Sequence, residues 1–366
     1  MHGARIALAA VVAVATSCSL VTSLDGLSSG PATIDGTEGG LEGGGATDAL
    51  VTDGPPSSTD GPSTKPRAWR QLAVSGPPGF HSARVVFDEA RGKAVLFGGG
   101  TANAASSDTW EWDGTAWSRP AITTTPTARQ SPGLAYDSAR HVVRLFAGSD
   151  GTSDPWEWDG GTIWKSSGTS PSSPDIRYSA AMAYDRARDV LVVFGGITTT
   201  MPSVDNLETW EWSASSGFVK RSPALSPPPR HAAALVYDES RARTVLFAGS
   251  DGMVRNDVWE WDGTGWAQLT PPVSPTARRG PCAAYDSVRK VTVVFGGRPD
   301  GQKDGLADTW EWNGKAWTAG ASGPPGRASC AMAFDRARNQ IVMFGGSLHH
   351  AAMSKPQVLA DTWVYE

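Results

Sequence analysis

The feature that most constrains this chain is a turn that recurs six times at nearly fixed spacing. An Asp-x-x-Arg turn stands at Asp88/Arg91, Asp137/Arg140, Asp185/Arg188, Asp238/Arg241, Asp286/Arg289 and Asp335/Arg338. Each leads into a short apolar run that ends in a small-Gly pair: Gly98-Gly99, Ala147-Gly148, Gly195-Gly196, Ala248-Gly249, Gly296-Gly297 and Gly345-Gly346. Both series advance by 49, 48, 53, 48 and 49 residues. A period near 50 with one glycine pair per unit is the length of one four-stranded blade, and six such units predict a closed ring of blades.

Residues 129–166 illustrate one unit. Arg129–Tyr136 alternates small and apolar residues and reads as a first strand; Asp137-Ser138-Ala139-Arg140 is the turn, its Asp able to accept from backbone amides. Val142–Phe146 is the near-continuous apolar run of a strand covered on both faces. Trp156-Glu157-Trp158 then places two indoles on one face, and Asp159-Gly160 predicts a tight type I′ hairpin into a fourth strand near Trp164. The glycine pairs, the third-strand aromatics and the fourth-strand Trp resemble the kelch-repeat family over residues 68–366. The resemblance implies an all-β, six-bladed kelch-type propeller, with four antiparallel strands per blade and first strands lining a central channel.

The ends of the chain predict how the ring closes. Trp363-Val364-Tyr365-Glu366 is a third strand with no fourth after it, and Ala68-Trp69-Arg70-Gln71-Leu72 is a fourth strand with no blade before it. Pairing them would remove the exposed edges. Five first strands open with an arginine (Arg129, Arg177, Arg230, Arg278, Arg327), and five third strands carry a glutamate (Glu111, Glu157, Glu211, Glu260, Glu311). The exceptions are Phe80 and Val364. This predicts five Glu–Arg pairs between neighbouring blades and a Phe80–Val364 contact at the seam, since a buried charge must be paired or absent.

The N-terminal 67 residues have a different character. Residues 1–17 carry one charge, Arg5, ahead of ten apolar residues from Ile6 to Ala15, which is signal-peptide length and too short to span a bilayer. Ala13-Val14-Ala15 offers an ordinary cleavage site and a soluble secreted product. Ala15-Thr16-Ser17-Cys18 resembles a bacterial lipobox and would make Cys18 the lipidated N-terminus. Residues 18–67, rich in Gly, Ser, Thr, Asp and Pro, read as a disordered tether spanning about 40 Å, which suits a domain standing off a membrane. The expectation is a cell-envelope protein, anchored at the outer membrane through lipid or secreted, and monomeric. Cys282 and Cys330 fall four and three residues after their aligned arginines, so strand alternation puts them on opposite faces and predicts no disulfide between them.

Of the 37 acids and 32 bases, seven acids and three bases lie in residues 1–67, which leaves the repeats 30 and 29. A nucleic-acid partner would need a basic stripe, so none is expected. The aligned acids Asp108, Asp154, Glu208, Asp257, Asp308 and Asp361 imitate a metal ring, yet a position repeated in every blade more often serves the blade, and neither metal nor cofactor is expected.

Function is sought where the units differ. One residue after the arginine slot stand His81, Gln130, Tyr178, His231, Arg279 and Ala328; among the longest loops are those holding Met201, Lys303, the pair His349-His350 and Lys355. Four of six Tyr fill one core slot, and no residue set matches the copper ligands of galactose oxidase-like kelch proteins. Sialic acid mutarotases are six-bladed kelch proteins too. Two functions follow: a binding or scaffolding module that recognises protein or glycan through the loop face, or a carbohydrate-directed enzyme at the channel mouth. A pocket joining Tyr178, His231 and Arg279 to a carboxylate would favour the enzyme; a broad face would favour a partner.

Overall fold

The computed structural model describes residues 67–168, 173–199, 202–301, 304–348 and 356–366. These form six four-stranded antiparallel sheets. Blade 1 comprises Arg84–Asp88, Lys93–Phe97, Thr109–Trp112 and Trp117–Ser118, and blades 2 to 5 repeat that order. Blade 6 takes its first three strands, Ala331–Asp335, Gln340–Phe344 and Thr362–Tyr365, from the C-terminus and its fourth, Trp69–Leu72, from the start of the propeller. Trp69 pairs with Tyr365 and Leu72 with Thr362, and Arg70 adds a salt bridge to Glu366 at 2.8 Å. The ring is therefore fastened by a strand from each end of the propeller.

Two local expectations change. The first strand of the type unit begins at Gly133, because Ser131 adopts φ of 50° and breaks the extended run. The same break recurs at Ser82, Ser179, Ala232, Gly280 and Ser329, all at positive φ. The Asp-Gly connections are longer than a two-residue turn: in blade 1 Trp112 pairs with Trp117 across four residues, of which only Gly114 has positive φ, and Asp113 Oδ1 accepts from the amides of Thr115 and Ala116, while in the type unit Glu157 pairs with Lys165 around a still longer connection. A type I′ turn would need φ above zero at two residues. Gly114, Gly160, Gly263 and Gly314 each lie against the turn arginine of the preceding blade (Arg338, Arg91, Arg188 and Arg241), where a Cβ would collide with it.

Neighbouring blades stack face on face, and this overturns the cysteine expectation. Cys282 and Cys330 are disulfide-bonded, with Cα atoms 5.6 Å apart. Strand alternation does put them on opposite faces of their own sheets. Those opposite faces are the ones that meet, so Cys282 and Ala284 of blade 5 share a cluster with Cys330, Met332 and Phe334 of blade 6. The same odd-against-even packing brings Ala83, Val85 and Phe87 onto Ala331 and Ala333.

The predicted Glu–Arg pairs are also reassigned. Arg230, Arg278 and Arg327, all fully buried, take both carboxylate oxygens of Asp257, Asp308 and Asp361, the acids that open the third strand of their own blade, at 2.6–2.8 Å. Arg177 takes Glu208 at 2.8 Å, and Arg129 takes Asp150 at 2.6 Å. The mid-strand glutamates serve the turns instead: Arg188 holds Glu211, Arg241 holds Glu260 and Arg289 holds Glu311 at 2.6–2.7 Å, Arg91 holds Glu111, and Glu157 goes to Arg144 at 3.0 Å. At the seam, Phe80 packs with Val342 and Phe344 of blade 6, and Val364 is not part of that cluster. Val364 faces no turn arginine; Arg338 bonds Asp335 and the carbonyl of Asp113.

Candidate functional site

Two levels of the ring are closed by polar bonds around the axis. At the loop-face end, the six positive-φ residues form a circle of backbone hydrogen bonds. The amide of Ser131 donates to Ser82, Ser179 to Ser131, Ala232 to Ser179, Gly280 to Ala232, Ser329 to Gly280 and Ser82 to Ser329, at 2.8–3.1 Å. At the other end, the residue after the turn Asp lines the channel in four blades. Arg186 bonds Glu89 at 2.7 Å and Glu239 at 2.8 Å, and Arg336 reaches the same two carboxylates, Glu89 at 3.0 Å. Four residues from blades 1, 3, 4 and 6 thus neutralise one another across the channel exit; the aligned positions of blades 2 and 5 are Ser138 and Ser287. Between the two levels runs a channel cavity of about 270 Å³, lined mainly by Val, Leu, Ala and Met with the core tyrosines.

The six mouth positions lie just outside the circle. His81, His231, Arg279 and Ala328 each exchange two backbone hydrogen bonds with the segment after their own glycine pair, at Gly100, Ser250, Arg298 and Ser347. Tyr178 pairs with Ile197, and the carbonyl of Gln130 accepts from Ser149. His81 Nδ1 is 3.1 Å from Ser82 Oγ, and burial pushes this imidazole below its ordinary pKa. His231 Nδ1 is 2.6 Å from Asp205 Oδ1, on a loop of the preceding blade. His231 is therefore joined to a carboxylate, as anticipated for one of the trio. The channel, and the groove and the cavity described below, are lined by none of the six. His349, His350, Met201, Lys303, Lys355 and Cys18 lie outside the described residues.

The aligned acids are absorbed by the blades. Burial opposes ionisation of Asp257, Asp308 and Asp361, but the bonds and charge of their arginines outweigh it and hold each below the usual carboxylate range. Glu208 is brought down to about 2, against its burial, by Lys220 and Arg177. Asp108, whose blade carries Phe80 in the first-strand arginine slot, pairs with Arg119 instead.

The loop face is uneven. Among the described residues, seven large apolar side chains are exposed, and five (Val204, Leu207, Leu225, Met253, Val273) sit on loops of blades 3 and 4 at the loop-face end. Met253 is 68% exposed. Leu207 lines a groove of about 420 Å³ in blade 3, which runs between Asp205-Asn206-Leu207 and Arg221-Ser222-Pro223. Sequence reading missed this sector, since exposure of an apolar loop residue has no signature in the repeat. It also missed Arg84, which enters the channel from blade 1. A signal for both ends of the channel was available in the turns: Glu89, Ser138, Arg186 recur as Glu239, Ser287, Arg336 after 150, 149 and 150 residues, so the ring is patterned as two three-blade halves.

No protein-family model matches the chain, and no curated protein matches it by sequence. Among solved structures, that of YjhT, a kelch-repeat protein, superposes with a TM-score of 0.61 at 15% identity, over 80% of this chain and 96% of YjhT. At that identity the likeness concerns the fold: a six-bladed, kelch-like propeller.

Proposed function

We propose that this propeller is a binding module of the cell envelope that takes a protein partner on its loop face, in the sector of blades 3 and 4. The observation that carries this reading is the concentration of exposed Val204, Leu207, Leu225, Met253 and Val273 on the loops of two adjacent blades, with Leu207 lining a groove, on a fold whose other large apolar side chains are mostly enclosed. Aliphatic side chains gain more from excluding water against a protein than against a hydroxyl-rich glycan. Asp205, Lys220 and Arg221 at the groove supply the polar rim that fixes register. The disulfide between blades 5 and 6 supports an oxidising, extracytoplasmic setting, in line with the apolar leader and the Cys18 lipobox.

The test uses the full-length protein on cells, with a photo-crosslinking amino acid at Leu207 or Met253 and, as control, at exposed Val288 on the opposite face. A discrete adduct from the first two sites and none from Val288, lost in Leu207→Asp, is the expected result. Equal labelling from all three sites would remove the reading, and binding on a glycan array that survives Leu207→Asp would move the ligand elsewhere. Incorporation of radiolabelled palmitate, abolished by Cys18→Ala, tests the anchor separately.

A further inference from the structure

Arg84 is out of place in its ring. The equivalent positions of the other first strands are Gly133, Ala181, Ala234, Cys282 and Ala331, all small, so five blades make room and one fills it with a guanidinium. Arg84 also breaks the two-half pattern, because the position 150 residues later is Ala234. Its one hydrogen bond among the described residues is from Nη1 to the carbonyl of Ala83, at 3.3 Å. No carboxylate among the described residues pairs with it, in a propeller where every first-strand arginine has one. Burial alone lowers its pKa to about 10, which still leaves it cationic at neutral pH. Arg84 is part-buried, and a cation partly withdrawn from bulk water without a counter-charge is left able to take an anion.

The surroundings say what that is. Arg84 lines both the channel and a smaller cavity of about 100 Å³ beneath the hydrogen-bonded circle. The other walls of the smaller cavity are Ser82, Ser131, Ser179, Ser329 and small apolar residues, with no acid. The backbone amides of the circle are already spent on one another, which leaves the serine hydroxyls as donors. Those of Ser131, Ser179 and Ser329 have no hydrogen-bond partner among the described residues. The acids at the far end of the channel, Glu89 and Glu239, are both engaged by Arg186 and Arg336. One fixed positive charge and several hydroxyl donors, free of competing carboxylates, match the requirements of an oxyanion.

We propose that the axial cavity binds a small oxyanion, a carboxylate, phosphate or sulfate group, through the Arg84 guanidinium and the hydroxyls of Ser131, Ser179 and Ser329. The site is separate from the loop-face sector, and its fate does not depend on the partner proposed there. Its size admits one tetrahedral or planar oxyanion rather than a macromolecule.

The test measures thermal unfolding of the full chain in sodium phosphate, sulfate or acetate against sodium chloride at matched ionic strength. A saturable rise in Tm with at least one oxyanion beyond the chloride control is expected, and which one responds distinguishes a phosphate or sulfate ligand from a carboxylate. Arg84→Met abolishes the rise and Arg84→Lys keeps part of it; the Ser131→Ala/Ser179→Ala/Ser329→Ala variant, which leaves the charge in place, weakens apparent affinity about tenfold or more. A selenate soak read by anomalous scattering places the ion within hydrogen-bond distance of Arg84. An equal rise in Arg84→Met, a wild-type response no larger than that of chloride, or selenate bound only elsewhere would each overturn the proposal.

Discussion

Trp317 of blade 5 packs in one core cluster with Val258 of blade 4, and its buried indole N–H has no partner among the described residues. The equivalent indoles are satisfied. Trp117 donates to Thr362 at 2.9 Å, Trp164 to Thr109 at 3.0 Å, Trp266 to Thr209 at 2.8 Å and Trp69 to Thr309 at 2.9 Å, in each case the residue that opens the third strand of the preceding blade. Between blades 2 and 3 both members change together, to Pro155 and Phe218, which needs no acceptor. Only the Val258–Trp317 step keeps a donor without its hydroxyl.

Val258→Thr should therefore stabilise the protein. The change is close in volume and would supply the missing acceptor, worth about 0.5–1.5 kcal/mol. Denaturant midpoints of the wild type, Val258→Thr and Val258→Thr/Trp317→Phe measure it. A gain that persists when the indole is also replaced would show that the hydroxyl acts through something else.

Asp257→Ala leaves Arg230 buried without its bidentate partner and should cost about 3 kcal/mol. Asp108→Ala, whose partner Arg119 is largely exposed, should cost less than about 1 kcal/mol. Urea titration of both variants separates the two, and similar losses would mean that the buried pairs do not hold the blades.

What could be read from the sequence follows from what a repeat reveals. The Asp-x-x-Arg turns count the blades, and the orphan strands at Trp69–Leu72 and Thr362–Tyr365 define the closure. Partner choice was not legible, because five of the six blades offer two carboxylates three residues apart, such as Asp308 and Glu311. Which one meets an arginine depends on height along the blade, and Arg278 stands level with the start of the third strand while Arg289 stands at the turn. Cys282 and Cys330 were misjudged for a related reason: alternation describes one sheet, and the bond joins two. Arg84 escaped notice because its meaning lies in the five small residues across the channel from it.

Acid should loosen the ring in a defined window. Asp257, Asp308 and Asp361 have folded pKa values below the ordinary carboxylate value, and Glu208 is at about 2. The unfolded state then binds protons more tightly, so the contribution of these groups is complete above an unfolded pKa of about 4 and is lost as pH falls through the folded values. Urea midpoints should hold above pH 5 and drop between about pH 4 and 2. A midpoint unchanged down to pH 3 would contradict this.

The disulfide should matter to stability rather than to architecture. Cys282 and Cys330 are 48 residues apart, and a crosslink of that span contributes about 2–4 kcal/mol by restricting the unfolded chain. Cys282→Ala/Cys330→Ala should keep the β-sheet circular dichroism and lose that stability, and reductant should lower the Tm of the wild type but not of the variant. A reductant effect shared by both would trace to some other cause.

Ring closure depends on one short strand that does the work of a whole blade edge. Trp69–Leu72 covers the edge of Thr362–Tyr365, and Trp69 also packs at a tilt against Phe295 and Tyr365, at centroid distances of 5.1 and 5.0 Å, while donating to Thr309 of blade 5. Deleting residues 1–72 exposes that edge and a wall of the core at once, and an unpaired strand edge recruits another chain. The truncated protein should sediment as oligomers or aggregate, and a synthetic peptide of residues 67–73 added during refolding should restore monomer. Trp69→Ala in the full chain keeps the strand hydrogen bonds and removes the packing, so it should lower stability by about 3–5 kcal/mol while leaving the protein monomeric. A monomeric, fully stable deletion would mean that the ring closes by other contacts.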